Sequence, residues 1–407
     1  MNLHQIIKSR ASAFAALSLV VAFVVTACGG GGSGGSSSMA NVADPPPATG
    51  GFTDAALVSD NNTVVATATT IDANLQNPWG VAIAPGLPFW IADEHSNVST
   101  LYSGTGTVET DTITGSNSVG IAIPANSAGQ PASPTGQVYN PNGGFLIATS
   151  NGMQSAQFIY DGGGGTIAAW APSSGATAVT AYDDSIVHGA NHAVYKGLAI
   201  GSVNGATFLY ATDLRNNKVD VIDTNFDKPV AMQGKFIDPT IPTGFAPFGI
   251  AAVAGQLYVT YAMQDAAMVG EELGAGLGYV DVFDMSGNFV TRFASGGALN
   301  APWGVAVAPS GFGTIAGDVL IGNFGDGSIN IFAPNGSLAT DVGQLMVTNG
   351  GTFSVPGLWS LVFGNGDPDK PITTLFYTAG FADQTDGVFG SITMATASAP
   401  ITSPSPY

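Results

Sequence analysis

Residues 301–336, APWGVAVAPSGFGTIAGDVLIGNFGDGSINIFAPNG, decide the fold. The stretch opens on a Pro-aromatic-Gly turn and an apolar run over 305–308. A Pro-Ser-Gly turn follows, then a second apolar run over 319–323, a Gly-Asp-Gly turn and a third run over 328–332. Short runs broken by tight turns predict a small antiparallel meander.

The chain repeats it. Equivalent openings are NPWGVA from 77, SPTG from 133, YKGLA from 195, APFGIA from 246, APWGVA from 301 and PGLWSL from 356. They align Gly80, Gly136, Gly197, Gly249, Gly304 and Ser360, between 52 and 61 residues apart. Six units of one period predict a radial or stacked assembly rather than six domains. The third strands, such as KVDVI at 218–222, alternate apolar and polar residues as half-buried strands do, whereas the first and second are more continuously apolar. The expectation is an all-β chain forming a six-bladed β-propeller, with about four antiparallel strands per blade, because blades round an axis leave only short protected edges.

Unit two is irregular. Its second strand is read at 157–161, with glycines 162–165 as the following turn and 142–156 as an insertion. The last unit supplies three strands near 361–394, and its fourth is expected from 55–71, before unit one, so that an N-terminal strand closes the ring.

The 407 residues carry 9 Lys and Arg against 28 Asp and Glu, a net charge of −19. Such a surface repels phosphates, so nucleic-acid partners are not expected. It also disfavours docking on anionic lipid heads through charge. High glycine and proline, 56 and 24 residues, suit many short strands and tight turns.

Lys8 and Arg10 followed by an apolar run over 11–27 read as a secretory leader. The segment ends VTAC, placing the one cysteine, Cys28, where the bacterial lipoprotein box, which this segment resembles, has its lipid-accepting thiol. A lone cysteine excludes an internal disulfide and multi-cysteine zinc sites. The expected organisation is a lipoprotein leader over 1–27, a flexible Gly/Ser/Pro tether over 28–52, the propeller over 53–394 and a loose tail over 395–407. The expected partner through Cys28 is a membrane, with acyl chains as the anchor. GGSGG at 31–35 matches a hydrolase nucleophile pattern only formally, since neither strand nor helix flanks it.

The pattern P-x-G-V-A, strand, D-x-x-N-x-V, strand, clearest in 195–223 ending ATDLRNNKVDVID, resembles NHL-type six-bladed β-propellers. The segments GFAPFGI, YVTYAMQDAA, GAGLGYVDVFD, LNAPWG and GNFGDG resemble an uncharacterised family of bacterial exported proteins. The likeness covers roughly 57–392 and implies a fold and an exported location; no Asp follows Cys28, which by resemblance to enterobacterial sorting implies the periplasmic face or the surface of the outer membrane. It implies no activity, and fold alone does not supply one.

Polar residues end several second strands: Asp93, Asp161, Asp213 and Asn323. In a propeller they fall near one end of the axial channel, where converging oxygens could hold Ca²⁺. The competing reading is that each bonds the backbone of its own turn. Units four and six carry Tyr261 and Ala379 there, so the ring is incomplete. His188 and His192, in HGANH, could share a metal on a helix, but Gly189 and Asn191 argue for a loop. His95 reads as a surface residue beside Asp93. The break at 263–278, with Asp265, Glu271 and Glu272, reads as a binding loop or as a short surface helix over the channel mouth. Trp79, Trp303 and Trp359 hold equivalent positions and are expected to pack between blades; Trp90 and Trp170 are expected in the core.

Two functions remain open at this level. One is a monomeric binding or scaffold module for a small molecule, polysaccharide or protein. The other is a lactonase-like, metal-dependent hydrolase using the acidic channel end. Convergence of Asp93 and Asp213 on an open cavity would favour the second.

Overall fold

A computed structural model describes residues 51–395 except 64, 66, 110–119, 336–337, 349–350 and 382–383. Cys28, the leader, nearly all of the tether and residues 396–407 lie outside the described residues.

Six antiparallel sheets follow one another along the chain. Blade 1 holds Pro78–Ala82, Phe89–Asp93, Val98–Tyr102 and Gly120–Ala122. Blade 2 holds Pro134–Tyr139, Phe158–Gly162, Thr166–Trp170 and Val179–Asp183. Blade 3 has three strands, Tyr195–Val203, Ala206–Asp213 and Lys218–Ile222. Blade 4 holds Phe245–Val253, Gln256–Gln264, Gly278–Asp284 and Phe289–Ser295. Blade 5 holds Pro302–Val307, Val319–Asn323, Ile329–Asn335 and Leu338–Gln344. Blade 6 joins Leu358–Phe363, Leu375–Phe381 and Asp386–Met394 to the N-terminal strand Phe52–Ser59, with Thr70–Ile71 parallel to it at the edge.

The first strand of each blade touches the first strands of both neighbouring blades, and the sixth touches the first. That closed circuit is the six-bladed propeller expected from the period. Closure comes from the predicted region, through pairs such as Ala55 with Ser391 and Ser59 with Val388. Unit two also resolves as read: Phe158–Gly162 pairs with Thr166–Trp170, and the insertion folds into a separate hairpin, Leu146–Thr149 with Gly152–Ser155.

The aligned glycines have a steric cause. A Cβ on Gly80 would lie 2.6 Å from the carbonyl oxygen of Thr135, and one on Gly304 2.5 Å from that of Trp359. Gly136 and Gly249 meet the backbone of Leu198 and Trp303 in the same way. Inner strands converge on the axis, so each glycine admits the next blade's backbone.

Three expectations need correction. Blade 3 has no fourth strand; residues 223–244 cover its outer side instead. There Gln233 donates to the Val221 carbonyl at 3.1 Å, and Phe236 packs on Tyr210 and Phe283. The 263–278 break forms no helix: Glu271–Glu272 is a short strand pairing with Met263 and Gln264. The HGANH segment is not a plain loop, since a helix over Asp184–His188 leads into a 3-10 turn over Gly189–Asn191. Asp183 caps that helix through the Ser185 N–H, which sets a local start that glycine further along does not prevent.

Candidate functional site

The residue before each aligned position starts the site. These are Trp79, Thr135, Lys196, Phe248, Trp303 and Trp359. Trp79 and Phe248 belong to blades opposite one another in the ring, yet their rings lie 6.3 Å apart. Contact across the full ring is possible only on the axis. Trp359 stacks on Phe324 at 4.0 Å, and Trp303 meets Trp79 and Trp359 edge-on at 6.0 Å. The tryptophans therefore pack against one another at the centre rather than between blades, which corrects the expectation. Each inner strand offers one side chain to the axis at this level, and four aromatic ones fill it. Trp90 and Trp170 do lie in an interblade core, with Trp90 stacked on Phe158 at 3.9 Å.

Lys196 is the charged member of the set. Its ammonium lies 5.0 Å from the Trp79 ring centre and 3.8 Å from Glu271 Oε2. Burial pushes the Glu271 carboxyl upward, with Lys196 opposing. The Trp79 Nε1–H is buried without a hydrogen-bond partner among the described residues. The 263–278 segment thus reaches the channel mouth through Glu271. Lys196 was not singled out from sequence, although the repeat alignment carries its signal: it stands where other units have aromatic residues.

Along the inner strands beyond the aromatic cluster lies a cavity of about 130 Å³ lined by residues of all six blades. Among the described residues its wall contains no carboxylate, histidine or lysine; Gln137, Ser360 and Trp303 are the lining residues with side-chain polar atoms.

The strand-end residues are engaged in their own blades. Asp93 Oδ2 accepts from the backbone N–H and hydroxyl of Thr100, at 3.1 and 2.8 Å. Asp161 Oδ1 accepts from the Thr135 hydroxyl at 2.9 Å and the Gly136 N–H at 2.6 Å. Asp213 accepts from the N–H groups of Val194 and Asn216 and from the Asn216 side chain. Asn323 accepts from the Asn300 N–H at 3.1 Å and donates to the Ala298 carbonyl at 2.7 Å. Asp213 and Asn323 thus hold the chain one and two residues before their own blade's inner strand. Leu214 and Phe324, which follow them, join the axial cluster, so these two strand ends lie at the aromatic end of the channel. Burial pushes Asp93 well above the carboxylate range, Asp161 up to about 7, and Asp213 upward. Among the described residues, no three His, Cys, Asp or Glu side chains gather as a metal-binding group.

The histidines part company as well. His188 Nδ1 lies 3.0 Å from Asp184, while His192 Nδ1 lies 2.8 Å from the Ala193 carbonyl. His95 is exposed.

No family model matches the sequence. The chain is 32% identical over 331 residues to uncharacterized protein R648 of Acanthamoeba polyphaga mimivirus, covering 80% of this chain and 76% of that protein. It is 30% identical over 343 residues to uncharacterized protein L690 of the same virus, covering 83% and 84%. These relatives are viral rather than bacterial. Among solved structures it is similar to a streptogramin B lyase, at 11% identity and a TM-score of 0.44, covering 84% of this chain and 98% of that one. It is also similar to the soluble aldose sugar dehydrogenase of Escherichia coli, at 14% identity and a TM-score of 0.48, covering 84% and 100%. A periplasmic gluconolactonase of Pseudomonas aeruginosa shares 14% identity at a TM-score of 0.43, covering 78% and 86%. At such values these structures lend no argument about activity. The extent of the two sequence matches places the chain in a family: it belongs with the mimivirus proteins R648 and L690.

Proposed function

We propose that this chain is an exported, lipid-anchored propeller that binds a ligand or partner, rather than a hydrolase working through its channel. The observation that carries this reading is the aromatic filling of the axis. Trp79, Phe248, Trp303 and Trp359 occupy the space where a substrate would meet converging acids. The strand-end carboxylates bond within their own blades instead: Asp93 and Asp161 to neighbouring strands, and Asp213 to its own turn and to Val194. A binding propeller needs only a rigid ring that presents surface loops.

The N-terminal part of the proposal rests on sequence. Residues 1–27 act as leader, Cys28 takes the lipid, 28–52 form the tether, 53–394 the propeller and 395–407 a tail. The molecule then sits on the periplasmic face or the surface of an outer membrane. Mass spectrometry of the mature protein is expected to show an acylated Cys28 at its N-terminus; an intact leader with a free thiol would sink the anchoring.

Calorimetric titration of the full-length protein with Ca²⁺ tests the binding reading against the hydrolytic one. No saturable heat is expected. A saturable heat abolished by Asp213→Asn or Asp93→Asn would overturn the binding reading in favour of a metal-dependent one.

A further inference from the structure

We infer that the cavity between blades 3 and 4, beside the aromatic end of the channel, binds a small neutral polyhydroxylated ligand, a monosaccharide or the end of a glycan. The inference rests on reading the chain as a binding propeller and names what it binds.

The cavity exists because blade 3 stops at three strands. The chain that replaces the fourth runs through the 3-10 turn Val230–Met232, tucks Phe236 inward, and crosses to blade 4 through Pro242 and Thr243. Between that crossing and the end of the strand Gln256–Gln264 it leaves about 420 Å³. Clefts for small molecules span about 300–1,000 Å³. Gln264 ties the cavity to the axis, donating its amide to the Leu214 carbonyl at 2.7 Å.

The charge in the cavity wall, Asp238, is committed, and beneath it Asp281 pairs with Arg292 through Oδ1 while its Oδ2 is buried without a hydrogen-bond partner among the described residues. Asp238 accepts from the Thr240 N–H and hydroxyl, both at 2.7 Å, and pairs with Arg292. Arg292 also pairs with Asp281 and lies 4.7 Å from the Tyr279 ring centre. Among the described residues, the wall has no cation to hold an anionic ligand, and no cluster of acids gathers to hold a metal.

The uncommitted polar groups of the wall are neutral. The Tyr261 hydroxyl is buried with no well-formed hydrogen bond among the described residues, and the Asp281 carboxyl lies beside it. Gln264 spends its N–H groups on the backbone and keeps its carbonyl oxygen. The side chains of Asn217 and Thr243 make no hydrogen bond among the described residues. Pro242, Pro247 and Ile241 supply an apolar wall beside them. A wholly apolar ligand would leave the hydroxyl and amides unpaired, which costs binding. An anionic ligand would lose its hydration without finding a counter-ion, and a cationic one would meet in the wall only Asp238, already paired with Arg292. Hydroxyls on a ring with apolar C–H faces satisfy both the neutral groups and the wall.

The test is saturation-transfer NMR and calorimetry of the full-length protein with D-glucose, D-galactose, D-mannose, L-arabinose and N-acetylglucosamine. At least one is expected to bind. Tyr261→Phe, which removes one hydroxyl, is expected to weaken it about tenfold. Gln264→Ala is expected to act similarly and stands in if the first variant fails to fold. No response to any of the five sugars overturns the inference. So does binding that neither substitution weakens, since the site would lie elsewhere. A sugar that binds here and is chemically altered would leave this site standing and refute the non-catalytic reading instead.

Discussion

Trp79 and Trp359 stack on the propeller axis with their ring centres 3.4 Å apart and their planes 17° from parallel. They come from the first and last blades, so this contact also bridges the two ends of the repeat. The Trp359 Nε1–H donates to Asn77 Oδ1 at 2.9 Å, which fixes the ring in place. At this level the axis is thereby core, and the channel is closed at its aromatic end.

Trp359→Ala is expected to cost about 3–5 kcal/mol, the range for truncating a buried aromatic side chain. Trp359→Phe keeps part of the stack and is expected to cost less. Urea unfolding of the three proteins checks this; equal midpoints would show that the axial cluster contributes little packing.

Lys228 closes the side of blade 3 that lacks a strand. Its ammonium lies 2.6 Å from Asp220 and 3.1 Å from Asp184, both buried, and 4.6 Å from the Tyr182 ring centre. The Tyr195 hydroxyl also donates to Asp220 at 2.9 Å. Lys228→Met leaves two buried carboxylates without this partner and is expected to destabilise by about 3–5 kcal/mol. Combining it with Asp220→Asn is expected to restore part of the loss. A double variant no more stable than the single one would contradict the pairing.

Asp161 makes stability fall as pH rises. Burial raises its folded value to about 7 against an ordinary 3.8. Between those values the folded state holds more protons than the unfolded state. Its contribution is fully present below about pH 3.8 and is lost as pH rises through about 7. Asp281, which burial also raises to about 7, acts in the same direction. Asp161→Asn is expected to flatten the decline in stability across this window. An unchanged slope in denaturant titrations at several pH values would refute the assignment.

The aligned glycines are not equally strict. A Cβ on Gly249 would strike the Trp303 carbonyl oxygen, whereas one on Gly197 would come only to 3.1 Å from the Phe248 oxygen. Gly249→Ala is therefore expected to cost about 1–3 kcal/mol, as overpacked sites do, and Gly197→Ala less. Thermal unfolding compares the two; the reverse order would mean that the spacing of inner strands is not set by these residues.

The count of six blades, most strand positions and the closing of the ring by an N-terminal strand are legible in the sequence. Turn glycines, prolines and apolar runs act locally, and a period near 56 residues exposes them six times over. The sequence also located Asp93, Asp161, Asp213 and Asn323 at strand ends, because each falls at the same place in the repeat; the hydrogen-bond partners of each, strand or turn, came only with the fold. Tertiary structure alone decided where the tryptophans point, since adjacent and opposite blades look alike in a linear repeat and only closure brings Trp79 against Phe248. It likewise decided the fate of blade 3. Lys218–Ile222 carries no mark that its neighbour will be a covering segment, because that segment is held by distant partners: Lys228 by Asp184, and Asp238 by Arg292. The cavity beside Tyr261 follows from that replacement, as a gap between two segments whose separate sequences do not specify their spacing.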